Sequence, residues 1–149
     1  MMSLRFRLAT LAFLLSSPAL AVDTSTEEPA PDLAALMSTA RAALYAQDYA
    51  AAITSLSIVV DASPRNADAF NLLGYASRKS GDLESAAGFY QTALEIDPNH
   101  LGALEYQGEL FIMLGDIAAA EANLARLAAA CGACEEHAEL AAALADPDA

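Results

Sequence analysis

A repeat of 34 residues constrains this sequence more than any other feature. Pro64, in Asp61-Ala-Ser-Pro64, and Pro98, in Ile96-Asp-Pro-Asn99, stand 34 positions apart. Gln47-Asp48-Tyr49, Gly81-Asp82-Leu83 and Gly115-Asp116-Ile117 recur with the same period. So do Ala52, Ala86 and Ala120; Ala40, Gly74 and Gly108; and Leu56, Tyr90 and Leu124. Several columns in one register imply stacked copies of one small unit, each burying its apolar face on the next.

The chemistry of the columns says what the unit is. Gly81 and Gly115 can adopt the left-handed conformation that ends a helix. Asp48, Asp82 and Asp116 follow at once and can accept hydrogen bonds from the free N–H groups of a new helix. Pro64 and Pro98 cannot continue a helix and stop the second one. Gly74 and Gly108, with Ala86 and Ala120, remove side-chain bulk where the two helices of a unit cross. Leu73, Tyr90, Ala93 and Leu94 fill the space between. The pattern predicts helices over 32–46, 49–62, 67–80, 83–96, 100–114 and 117–130. A last helix over 134–145 has Leu140 and Leu144 on its apolar edge and Glu135, Glu136 and Glu139 facing out, as a polar cap requires. Sparse β-branched residues argue against a sheet, and alanine, an efficient helix former, suits close helix packing.

These residues resemble the tetratricopeptide repeat (TPR) family, in which the repeat is 34 residues long. The stretch from Ala67 to Asn99 carries Phe70, Leu73-Gly74, Ala86, Tyr90, Ala93 and Pro98 where the family has its signature, with Ser77 in place of a tyrosine. Leu33 to Arg65 departs further, with Leu36, Thr39 and Ala40 replacing the aromatic and Leu-Gly. Leu101 to Cys134 keeps Gly108, Phe111, Gly115 and Ala120 but has Gly132 for the terminal proline. The resemblance implies an all-α fold: a three-unit TPR helix-turn-helix solenoid with a C-terminal capping helix. Its units span 32–65, 66–99 and 100–133, and the cap and tail span 134–149.

The resemblance also implies where a partner would sit, since TPR units bind in the groove lined by their first helices. The register places Met37, Arg41 and Tyr45 there from unit one. Asn71, Tyr75, Arg78 and Lys79 come from unit two, and Glu105, Glu109, Ile112 and Met113 from unit three. The expected partner is a protein loop or extended peptide stacked on Tyr45 and Tyr75. An opposing reading has Arg78 and Glu105 neutralise each other and the tyrosines join the core. The chaperone-binding subset of the family clamps a carboxylate with Lys, Asn and Arg. Here Asn71 alone has the right type at a clamp position, and Glu105 and Glu109 stand where cations would be needed.

Met1 to Ala21 reads as a signal peptide. Arg5 and Arg7 precede the apolar run Leu8–Leu15, and Ala19-Leu20-Ala21 gives a small-x-small cleavage site. The run is shorter than the ~20 residues of a membrane span, so no membrane insertion is expected after cleavage. The short n-region points to a periplasmic protein. Residues 22–31 form an acidic, proline-interrupted leader unable to bury apolar surface. Without Arg5 and Arg7, the chain's 20 acidic residues face 5 basic ones. That field opposes nucleic-acid binding and favours a basic partner through steering.

Cys131-Gly-Ala-Cys134 replaces the proline-bearing turn after unit three. In an oxidising compartment the pair is expected to form a disulfide pinning the cap. Two rivals are a redox thiol near a helix N-terminus and a copper or zinc site that adds His137. They would make the chain a metal- or thiol-handling accessory. His100 reads as a helix-start residue. There is no glycine-rich phosphate loop and no credible Ser-His-Asp set, so neither enzyme activity nor a cofactor is expected. The mass of the exported protein should correspond to a start at Val22; a full-length protein that sediments with membranes would contradict cleavage.

Overall fold

The computed structural model describes residues 30–146. The signal segment and nearly all of the leader lie outside the described residues. Seven helices follow in order: α1 (Leu33–Tyr45), α2 (Tyr49–Ala62), α3 (Ala67–Lys79), α4 (Leu83–Ile96), α5 (Leu101–Met113), α6 (Ile117–Cys131) and α7 (Glu135–Ala145). The described residues contain no strand. This is the all-α solenoid that the periodicity predicts.

Local chemistry sets each boundary. Asp48, Asp82 and Asp116 cap α2, α4 and α6, accepting hydrogen bonds from the backbone N–H groups of Ala51, Ser85 and Ala119 at 3.0–3.1 Å. Asp32, Asn66 and His100 do the same for α1, α3 and α5. His100 also reaches back through Nε2 to Asp68 at 2.9 Å, tying unit three to unit two. Gly81 and Gly115 adopt φ of +86° and +78°, and unit one places Gln47 at +59° in the same turn. Helix α7 begins at Cys134 without a side-chain cap. Its start is fixed by the Cys131–Cys134 disulfide, S–S 2.03 Å. Closing so short a loop stabilises by roughly 2 kcal/mol in the chain-entropy picture.

Helices pair as α1–α2, α3–α4 and α5–α6, and each second helix also packs on the first helix that follows. Helix α7 packs on both α5 and α6, where the first helix of another unit would lie. The core runs through the stack as three clusters. Ala40, Ala52, Leu56, Val59, Ala69, Leu73 and Ala76 join units one and two. Ala86, Tyr90 and Leu110 join two and three. Ala93, Leu94, Ala103, Leu104, Leu127 and Leu140 seal the cap.

The two glycines of one column serve different contacts. A Cβ on Gly74 would lie 2.5 Å from the Tyr90 ring of α4, the helix-pair crossing expected. A Cβ on Gly108 would instead lie 2.5 Å from Leu140 of α7. Where unit two has Tyr90, unit three has the shorter Leu124, and the cap's leucine takes the vacated side. Gly74→Ala should therefore destabilise by about 1–3 kcal/mol in thermal melts, despite alanine's better helix propensity, because a fully buried ring cannot move aside. Gly108→Ala should cost less, since the flexible end of Leu140 can turn away. Equal melting temperatures for wild type and Gly74→Ala would contradict the close approach.

Candidate functional site

The first helices carry two clefts. One, of about 300 Å³, is lined by Arg41, Leu44 and Tyr45 of α1, Leu72 and Tyr75 of α3, and Tyr106 of α5. The other, of about 270 Å³, is lined by Arg78 and Lys79 of α3, Glu109, Ile112 and Met113 of α5, and Ala143 and Asp146 at the cap. Tyr75 and Tyr106 pack together in the first, ring centroids 5.1 Å apart. The Arg78 guanidinium sits 5.7 Å from the Tyr75 ring and 5.8 Å from the Tyr106 ring, and the Lys79 ammonium is 5.6 Å from Tyr75. Such cation–π contacts hold flat aromatic faces in place.

Arg78 is 8% exposed and forms a salt bridge with Glu109. Burial works against its charge, but Tyr90 and Glu109 outweigh that and hold its pKa above the ordinary value. The Tyr90 hydroxyl and Arg78 Nε make no hydrogen bond among the described residues. Burial raises the Tyr90 pKa, and Arg78 partly offsets this. Burial also pushes Tyr106 up to about 12, helped by Glu105, and raises Tyr75. All three tyrosines are therefore neutral at physiological pH and act as amphipathic surfaces.

The groove residues expected from register divide by helix face. Arg41 is exposed and Tyr45 is 95% exposed. Tyr75, Lys79, Glu109, Ile112 and Met113 line the clefts. The column of Met37, Asn71 and Glu105 turns inward. Met37 packs against the core of units one and two, Asn71 is 6% exposed and Glu105 is 3% exposed. The Asn71 Nδ2 would lie 3.0 Å from a Cβ on Gly102, so it packs against α5. Arg78 pairs with Glu109, not with Glu105, because Glu105 is drawn to the cap.

The next column over supplies two further cleft residues, Leu72 and Tyr106, while its first member, Ser38, lines neither cleft. Their signal was present: Tyr106 stands 34 positions after Leu72, one helical turn before Glu109. Ala143 and Asp146 had no such signal, since α7 belongs to no repeat. The two sulfurs of Cys131 and Cys134 are joined, so neither thiol is free beside His137. Among the described residues no three His, Cys, Asp or Glu side chains are grouped to hold a metal. No helix there is long and apolar enough to cross a membrane.

The sequence model of the tetratricopeptide repeat family matches residues 37–100, and solved TPR domains superpose on the chain. Residues 37–100 belong to the tetratricopeptide repeat family, and the described chain has the TPR fold. The TPR2B domain of yeast Sti1, solved as an Hsp70 peptide complex, is similar at TM-score 0.71 and 16% identity, covering 77% of this chain and 94% of that one. The first TPR domain of Spaghetti (RPAP3), bound to the HSP90 peptide SRMEEVD, is similar at TM-score 0.68 and 16% identity, covering 78% and 96%. A Thermobaculum terrenum O-GlcNAc transferase mutant matches at TM-score 0.69 and 24% identity over 75% of this chain; the match spans only 22% of the transferase. No curated protein sequence matches this TPR chain.

Of the cap glutamates expected to face out, Glu135 and Glu139 are exposed and Glu136 is half-buried. Seating Leu140 on Gly108 brings Glu136 and Glu139 near α5. Glu105, buried opposite them, has its pKa pushed up to about 9 by burial, by hydrogen bonding to Glu139, and by the charges of Glu139, Glu109 and Glu136. Its neutral form is therefore favoured at neutral pH. A carboxyl whose folded pKa exceeds its unfolded value of about 4.5 contributes its full stability below pH 4.5 and loses it as pH rises toward 9. Glu105→Gln keeps a donor for Glu139 but cannot ionise. It should match wild type near pH 4.5 and melt higher at pH 8, by about 4 °C for each kcal/mol recovered. Parallel pH–Tm curves for the two proteins would show that Glu105 is not the titrating group.

Proposed function

We propose that this protein is an exported, periplasmic interaction module that holds a protein loop or extended peptide against its first helices. The observation that carries this reading is Tyr45, a large aromatic 95% exposed beside Tyr75 and Tyr106. An isolated exposed aromatic needs no explanation. Three tyrosines converging on one cleft, with two braced by Arg78 and Lys79, resemble the rigid aromatic anchors on which interfaces depend. The peptide complexes of two structural neighbours support the reading, because those domains share this fold. The periplasmic assignment rests on the N-terminal charged and apolar segment and Ala19-Leu20-Ala21. The disulfide is compatible with an oxidising compartment.

Site-specific photocrosslinking tests the groove. Tyr45→p-benzoylphenylalanine should yield a discrete adduct in intact cells, and the same replacement at Glu121, exposed on α6, should not. Tyr75→Ala in the Tyr45-labelled protein should cut adduct yield about tenfold or more, as expected for an aromatic anchor. Adducts of equal yield from positions 45 and 121 would place the interface elsewhere. Arg78 is the wrong residue to truncate, since removing it strands the partly buried Glu109 and destabilises the fold.

A further inference from the structure

The chain's overall charge favours a basic partner, but the cleft between α1, α3 and α5 has the opposite local character. The described residues include Arg41, Arg65, Arg78, Lys79 and Arg126 as their cations, among many more carboxylates. Charge pairing within the chain should therefore be easy to find. Yet the ion pairs among the described residues are Arg78–Glu109 and His100–Asp68. Arg41 lines the cleft with none of the described carboxylates in salt-bridge contact. Lys79 lies over the Tyr75 face, also with none. The cleft's own lining is Arg41, two leucines and three tyrosines, and includes no acid.

We propose that this cleft takes an acidic linear segment of a partner protein. An apolar side chain sits among Leu72, Tyr75, Tyr106 and Tyr45, and flanking side-chain carboxylates meet Arg41 and Lys79. The proposal rests on the groove-binding reading above and specifies its occupant. Scale decides between local and overall charge. At physiological salt the Debye length is about 8 Å, so exposed carboxylates farther off are largely screened. Groups in contact with the segment are then the ones that select it. The net negative charge acts on the encounter at longer range, slowing approach at low salt without changing what fits the cleft. The anion partners here are side chains along the segment, so a free C-terminus is not required. On the cap side the neighbouring cleft presents Glu109 and Asp146, which would repel a terminal carboxylate lodged there.

Binding of three sets of fluorescent peptides to the oxidised protein, all capped at both ends, tests this at 0.15 M salt. Each set has a central leucine or phenylalanine, flanked on both sides by glutamates, by lysines or by serines. The acidic set should bind about tenfold tighter than the lysine set, the sum of two exposed charge pairs made versus two repulsions. Arg41→Glu with Lys79→Glu should reverse that order, and both positions are exposed, so the fold should tolerate the change. Tyr75→Ala should weaken all three sets. If the lysine set binds best and Tyr75→Ala weakens it, the groove reading survives and the acidic preference is overturned. If Tyr75→Ala leaves every affinity unchanged, the groove reading itself fails. Concentration-dependent dimerisation abolished by Tyr45→Ala would make a second copy of this chain the occupant and likewise overturn the proposal.

Discussion

The close approach of α3 and α4 at Gly74 is the contact on which the rest of the stack depends. The Tyr90 ring occupies the space where any larger residue at position 74 would put its Cβ. That ring is fully buried and packs with Ala86 and Leu110, so it spans the junction between units two and three. Its outer edge meets Tyr106, centroids 6.4 Å apart, and Tyr106 in turn carries Tyr75. One packed aromatic thus sets the crossing of a helix pair and supports the platform on the other side. In a solenoid, where each unit touches only its neighbours, such junctions hold most of the stability.

The electrostatics follow from how tightly α5 is enclosed. Its faces carry Glu105 toward the cap and Glu109 toward α3. Glu109 meets a guanidinium and forms an ion pair. Glu105 meets Glu136 and Glu139 instead. Burial with like charges raises a carboxyl pKa, and that favours the neutral form of Glu105. On the opposite face of α5, Asn123 of α6 donates to Leu104 O and Gln107 Oε1, satisfying polar groups in the interior.

The fold was legible because every signal for it is local or periodic. Helix ends fall within a residue of expectation: left-handed glycines, capping aspartates and chain-stopping prolines act on neighbouring backbone groups and need no distant partner. The site was only partly legible. Of the residues that register assigns to the groove, several line the clefts, including Tyr75, Lys79 and Met113. Register could not resolve which of two adjacent columns pointed inward, so Asn71 and Glu105 were placed in the groove while Tyr106 was passed over. A helix turns 100° per residue, and a small rotation set by packing decides which neighbour is exposed.

By itself the sequence determined the number of units, the start and end of each helix and the glycine column. Those depend on bonds between residues close along the chain, or on a period that repeats them. Only the tertiary structure decided that Gly108 receives Leu140, that Arg78 pairs with Glu109, and that Glu105 is buried among carboxylates. The second depends on how α3 packs on α5, the first and third on the docking of α7. That helix lies outside the 34-residue repeat, so no column foretells its face, and its position is set by shape complementarity at Gly108.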